Sequence, residues 1–216
     1  MDNTKPHKFF DAYLNNDLDS LKEYLLNKKE ELKNGQVAGV GKDVLATAPK
    51  DYFNSYNPQR IDNFYNIFQF YNEEIYSLYK TLRSLTIEAC EYYGLDFEKE
   101  KFMLHGWFNS EGSKNHVDLD NKDSYHDHSE GKGFPYFHGY YCVNAEPSST
   151  YYKIHGDAAF ENVNKNNRAI LSETGHPHSI GLWPFEEDRI TIAYDVTPLR
   201  FISAGGYYDQ SWVPLG

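Results

Sequence analysis

The sequence predicts a mainly β protein with added α structure: a jelly roll, or double-stranded β-helix, with N-terminal helices packed on one face. Three observations lead there. Helical periodicity governs the first hundred residues, the texture changes after Lys101 to short runs rich in Tyr, Phe, Val, Ile and Thr, and Gly, Pro and Asn punctuate those runs at turn-like intervals. A helical lead-in followed by many short strands suits a pair of sheets with helices on one side. At 216 residues the chain is long enough for one sizeable core. It is read as a single domain, 1–216, with 1–100 as a helical support and 101–216 as the jelly-roll core.

The elements follow in order. From Phe9 to Leu32, Leu14, Leu18, Leu21 and Leu25 recur at three-to-four spacing between Lys and Glu, predicting an amphipathic helix that ends near Gly35. Asn34 to Asn57 carries Gly35, Gly39, Gly41 and Pro49 and reads as a loop. Its Gly39-Val-Gly-Lys42 is not a phosphate-binding loop, because Asp43 stands where a magnesium-holding Ser or Thr is needed. After Pro58, Ile61, Phe64, Phe68, Ile75, Leu78, Leu82 and Leu85 keep helical spacing as far as Gly94, predicting one long helix or two in tandem. The predicted strands are Lys101–Asn109, Phe134–Asn144, Thr150–His155, Arg168–Ser172, His178–Trp183, Arg189–Val196 and Phe201–Ser203.

Composition narrows the function. A net charge of −11, with no stretch of clustered Lys and Arg, argues against nucleic acid as a partner. No run is long and apolar enough to span a membrane, and Met1 to Lys8 lacks the apolar centre of a signal peptide. Cys90 and Cys142 suit two reduced, buried thiols. Together these predict an intracellular, cytoplasmic protein with no membrane partner.

Chemistry concentrates in the histidines. Eight of the nine follow residue 100, and two tight clusters, His126/His128 and His176/His178, precede Arg189 at the head of a β-like run. Three pairs at i, i+2 compete as proximal metal ligands: His128/Glu130, His126/His128 and His116/Asp118. Each places both side chains on one side of an extended chain. An oxygen-activating iron(II) site uses two His and one carboxylate, which favours His128/Glu130, with His126 as the alternative ligand. Glu130 also precedes a Gly131-Lys-Gly133 turn, whereas His116 and Asp118 sit in the polar stretch Ser110–Ser124. The distal ligand is His178, which opens a strand, with His176 as its alternative. Arg189 and Thr191 face one way on their strand and together can grip a carboxylate. Ion pairing of Arg189 with Glu186, Glu187 or Asp188 is the simpler explanation for that arginine.

These residues resemble the iron(II)- and 2-oxoglutarate-dependent oxygenase superfamily, whose motif is His-x-Asp/Glu, a distal His, and an Arg about ten residues further on. The matching residues are His128-Ser-Glu130, His178 and Arg189-Ile-Thr191. The stretch Phe137-His-Gly-Tyr-Tyr-Cys-Val143 resembles the aromatic strand of small microbial and virus-encoded members. The resemblance covers about residues 101 to 200. It implies iron(II) on His128, Glu130 and His178, and 2-oxoglutarate whose far carboxylate meets Arg189 and Thr191. The implied reaction couples decarboxylation of the cosubstrate to hydroxylation of a small-molecule, peptide or protein substrate by molecular oxygen. For a virus-encoded member the setting would be the host cytoplasm. Tyr140 or Tyr141, Trp107, Asn109 and Trp183 are further pocket candidates. Two other readings stand beside it: a cupin-like metal enzyme that does not use 2-oxoglutarate, and a non-catalytic jelly roll binding sugar or protein. The acidic loop Ser110–Tyr125, with Asp118, Asp120 and Asp123, is a candidate lid favouring a cationic or neutral substrate.

Overall fold

Strict alternation of side chains along antiparallel strands accounts for most of the architecture. The computed structural model describes residues 5–33, 65–111, 125–128, 137–154, 158–203 and 212–216. Among them are nine strands and four α-helices, and every strand pair is antiparallel. The order is β1 (Phe9–Tyr13), α1 (Leu18–Lys33), a 3-10 turn (Ile67–Gln69), α2 (Glu73–Tyr93), α3 (Phe97–Glu100), β2 (Phe102–Glu111), β3 (Phe137–Asn144), β4 (Ser149–Lys153), β5 (Ala159–Val163), β6 (Arg168–Glu173), β7 (His178–Ile180), β8 (Arg189–Pro198), α4 (Leu199–Ser203) and β9 (Val213–Pro214). Six strands form one sheet in the order β1-β6-β3-β8-β2-β9, and three form a second in the order β5-β4-β7.

The first expected helix is shorter at its start. Phe9–Tyr13 is strand β1, paired in register with Ser172 to Arg168. Its side chains alternate rather than cycle: Phe10 is buried while Asp11 and Tyr13 are exposed. Asp17 then starts α1, its carboxylate accepting from the Ser20 amide at 3.1 Å. The helix that ends at Gly94 begins at Glu73, because Asn72 Oδ1 accepts from the amides of Glu74 (2.9 Å) and Ile75 (3.0 Å) and caps it there, while residues 58–64 lie outside the described residues. It ends as expected at Gly94, whose φ of 69° is the left-handed region that glycine enters without strain. Phe201–Ser203 is helical, not a strand: β8 continues to Pro198, which lacks the amide to extend a ladder, and α4 follows directly. Strand β5 was not foreseen, since its mostly exposed residues carry no apolar alternation. The Gly39–Lys42 segment and most of the Ser110–Tyr125 loop lie outside the described residues.

One face of the six-stranded sheet meets the helices. Leu104, Phe108, Phe137, Tyr141, Ala169, Leu171, Ile190, Ile192, Tyr194 and Val196 share a single buried cluster with Leu21 and Leu25 of α1 and with Ile75, Leu78, Leu82 and Leu85 of α2. Within the sheet, Gly139 leaves room for its neighbours on β6 and β8. A Cβ there would lie 1.9 Å from the Ile170 carbonyl oxygen and 2.6 Å from Tyr194 Cε2. The opposite face meets the three-stranded sheet, with Tyr140, Cys142 and Ile170 packed on Tyr152 of β4. Both cysteines are free and buried, and burial pushes the Cys90 thiol up to about 12 and that of Cys142 to about 11. Among the described residues, no helix is long and apolar enough to cross a membrane.

Candidate metal centre

The register of the large sheet lays its inward residues out in rows. Directly opposed residues of antiparallel strands project to the same face, so Ser172, His138, Asp195 and His105 form one row across β6, β3, β8 and β2. Ile170, Tyr140, Ala193 and Trp107 form the next, and Cys142, Thr191 and Asn109 the one after. Arg189 ends the series, six residues along β8 from Asp195. At the usual strand rise, about 20 Å of backbone separates them.

Two segments bring further histidines over the first row. His126 and His178 exchange both backbone hydrogen bonds, His126 N–H to the His178 carbonyl at 3.1 Å and His178 N–H to the His126 carbonyl at 2.8 Å. Their rings stand side by side, 4.4 Å between centroids. His128, two residues on, reaches deeper and stacks on His138 at 3.6 Å, with His178 at 5.2 Å. Donor atoms of His126, His128 and His178 all lie within 4.8 Å of one another, and so do those of His128, His138 and Asp195. These His and Asp groups could hold a metal ion, and His128 is common to both sets.

The ring nitrogens are oriented for ligation. His178 Nδ1 lies 3.3 Å from the His176 carbonyl oxygen, which can only accept, so the proton sits on Nδ1 and Nε2 keeps its lone pair. His128 Nδ1 faces Asp195 Oδ1 at 3.4 Å, and His138 Nδ1 faces the same oxygen at 2.8 Å. Carboxylate and carbonyl partners of this kind are how proteins set the tautomer and direction of ligating imidazoles.

Electrostatics keep His126, His138 and His178 neutral. Burial, then the neighbouring His128, lowers His138 to about 4; the same two causes lower His126 to about 4, though much of its surface remains open. Burial followed by His138, His128 and His126 holds His178 well below the usual imidazole range. For Asp195, burial alone would raise the carboxyl, but His128 and His138 outweigh it and keep it well below the usual carboxylate range. Neutral imidazoles beside an ionised carboxylate are the protonation states that a divalent transition metal requires.

The sequence-predicted residues divide as follows. His126, His128 and His178 come together; Glu130, His116 and Asp118 lie outside the described residues. His176 turns elsewhere, its ring 4.2 Å from that of His7. Arg189 is buried, its Nε–H donating to Ser148 Oγ at 3.0 Å, while its acidic neighbours Glu187 and Asp188 pair with Lys22 and Lys29 of α1. Thr191 is buried on the same face. Around Arg189 runs a polar network in which Asn164 Nδ2 donates to Ser148 Oγ at 3.0 Å and the hydroxyls of Tyr140 (2.9 Å) and Thr150 (3.2 Å) donate to Asn164 Oδ1. Trp107 stacks on His128 at 5.7 Å, at the rim of the centre. Tyr140 faces the inter-sheet space, and Tyr141 the helices.

Sequence reasoning missed His138 and Asp195. Their signal was available: Asp195 is an acid inside the otherwise uncharged run Ile190–Thr197, and His138 interrupts an aromatic strand. Only register shows that they are directly opposed. No family model matches the chain, and no curated protein is significantly similar to it.

Proposed function

We propose that this chain is an iron(II)- and 2-oxoglutarate-dependent dioxygenase on a jelly-roll scaffold, hydroxylating a small-molecule or peptide substrate with molecular oxygen. The observation that carries the reading is the pairing of a histidine centre, in which His178 and His128 direct Nδ1 at acceptor oxygens, with a buried arginine on the same sheet face. The strand order supports the scaffold. From β2 onward the chain passes to the His126 bridge, back to β3, out to β4 and β5, back to β6, out to β7 and back to β8, alternating between sheets as a jelly roll does.

Iron(II) with 2-oxoglutarate would supply oxidation of a C–H bond coupled to decarboxylation of the cosubstrate to succinate. His128 and His178 would hold the metal, with His126 the third group among the described residues. Asp195 would orient His128 and hold His138 behind it. Arg189 and Thr191 would anchor the remote carboxylate, and Tyr140, between them and the centre, would line the path. Asn109 Oδ1, in the Thr191 row, is buried without a hydrogen-bond partner among the described residues, as a site awaiting a polar ligand requires. Free buried thiols at Cys90 and Cys142 fit a cytoplasmic setting.

Anaerobic addition of iron(II) and then 2-oxoglutarate to the metal-free protein tests this directly. A weak visible charge-transfer band should appear only when both are present. Arg189→Ala should weaken 2-oxoglutarate binding by about 30-fold or more, as loss of a buried charged partner does. Iron bound without the band, or a band indifferent to Arg189→Ala, would favour a cupin-like metal enzyme instead.

A further inference from the structure

We infer that a second, structural metal site lies outside the centre, formed by His7, Glu173 and His176, and that it takes zinc. Donor atoms of the three residues lie within 4.8 Å of one another. They come from three places in the chain: the extended residues before β1, the last residue of β6, and the turn between β6 and β7. Pairing of β1 with β6 in the register Phe9 to Ser172 is what brings residue 7 alongside residues 173 to 176.

The surroundings are built rather than incidental. The rings of His7 and His176 meet edge to face at 4.2 Å, and Phe9 meets His7 edge to face at 4.8 Å. All three residues are half-buried, and both ring nitrogens of His7 are shielded from solvent. Glu173 is fixed at its backbone by pairing with Phe137, so one ligand stands on the rigid sheet and two come from segments that can adjust. Tyr93 is the neighbouring titratable group, its hydroxyl beside Glu173 and accepting from the Lys8 amide at 3.3 Å.

Two imidazoles and a carboxylate, with a fourth position for water, are a zinc donor set. Tetrahedral zinc at its usual bond lengths places ligand atoms about 3.3 Å apart, so side-chain rotations of an ångström or so would close the trio around an ion. The consequence is mechanical. His176 carries the carbonyl that orients His178 Nδ1, so an ion on His176 would clamp the N-terminal segment to the turn that aims the distal ligand of the centre.

The test uses the full, tag-free chain, stripped of metal and dialysed against zinc, with zinc per chain measured by mass spectrometry. Glu173→Gln and His7→Gln should each lower the wild-type value by one zinc per chain, and zinc should raise the melting temperature of the wild type more than that of either variant. The double variant His126→Ala/His178→Ala should retain one zinc, lost on adding Glu173→Gln. The reading is the difference between wild type and Glu173→Gln, so failure of the centre to bind would change the totals but not that difference. Equal zinc content in wild type, Glu173→Gln and His7→Gln, with all three folded by circular dichroism, would overturn the site.

Discussion

The two faces of β8 carry opposite chemistry from adjacent residues. Ile190, Ile192, Tyr194 and Val196 are buried in the cluster that includes the helices, whereas on the other parity Arg189 meets Ser148 and Asp195 meets His128 and His138. Burial does not distinguish the faces, since the whole strand is buried. What differs is the partner: aliphatic and aromatic surface on one side, hydrogen-bonding groups on the other. The lesson is that a buried strand can build an apolar core with one parity and carry polar, hydrogen-bonded side chains with the other.

The largest effect that would sharpen this division is at the centre itself. His178→Ala should reduce binding of the proposed iron(II) at the centre by more than about 100-fold, because changes outside the ligand set already cost 10–100-fold. Metal content by mass spectrometry, set against an unchanged far-ultraviolet spectrum, checks it. On the other face, Ile192→Ala should cost about 2–5 kcal/mol of stability in urea unfolding, while iron bound per folded chain stays the same. Stability lost equally from both faces would break the comparison.

The metal-free protein should also lose stability in acid. His138 has a folded pKa of about 4, below its unfolded value near 6.5, so the unfolded chain binds more protons between those values. The stability is therefore full above about pH 6.5 and falls as pH drops toward 4, by about 3 kcal/mol from His138 alone. His126 and His178 shift in the same direction. Urea titrations from pH 7.5 to 4.5 measure this, and a stability independent of pH over that range would contradict it. Smallest of the four, Asp195→Asn should weaken iron binding about tenfold, since the amide keeps the shape but removes the charge that orients His128 and His138. Calorimetric titration with iron(II) would show it.

The helical spacing of Leu18, Leu21 and Leu25 and the stop at Gly94 were legible because each depends on neighbours within a few turns. The start of β1 was not, because Phe9–Tyr13 is a strand only by virtue of β6, more than 150 residues away. The centre divides in the same way. His126, His128 and His178 stood out as clusters in the chain, while His138 and Asp195 were hidden inside strands whose apolar neighbours draw the eye to packing.

By itself, then, the chain determined its two textures, the stop of its long helix at Gly94 and the histidine types available for a metal, all of which are set by short-range periodicity and side-chain chemistry. Tertiary structure alone decided which histidines meet, that His176 sides with His7 rather than with His178, and that Asp195 lies beneath the centre. The physical reason is register: one residue of slip between paired strands sends every side chain to the other face, and long-range pairing leaves no periodic trace in the sequence.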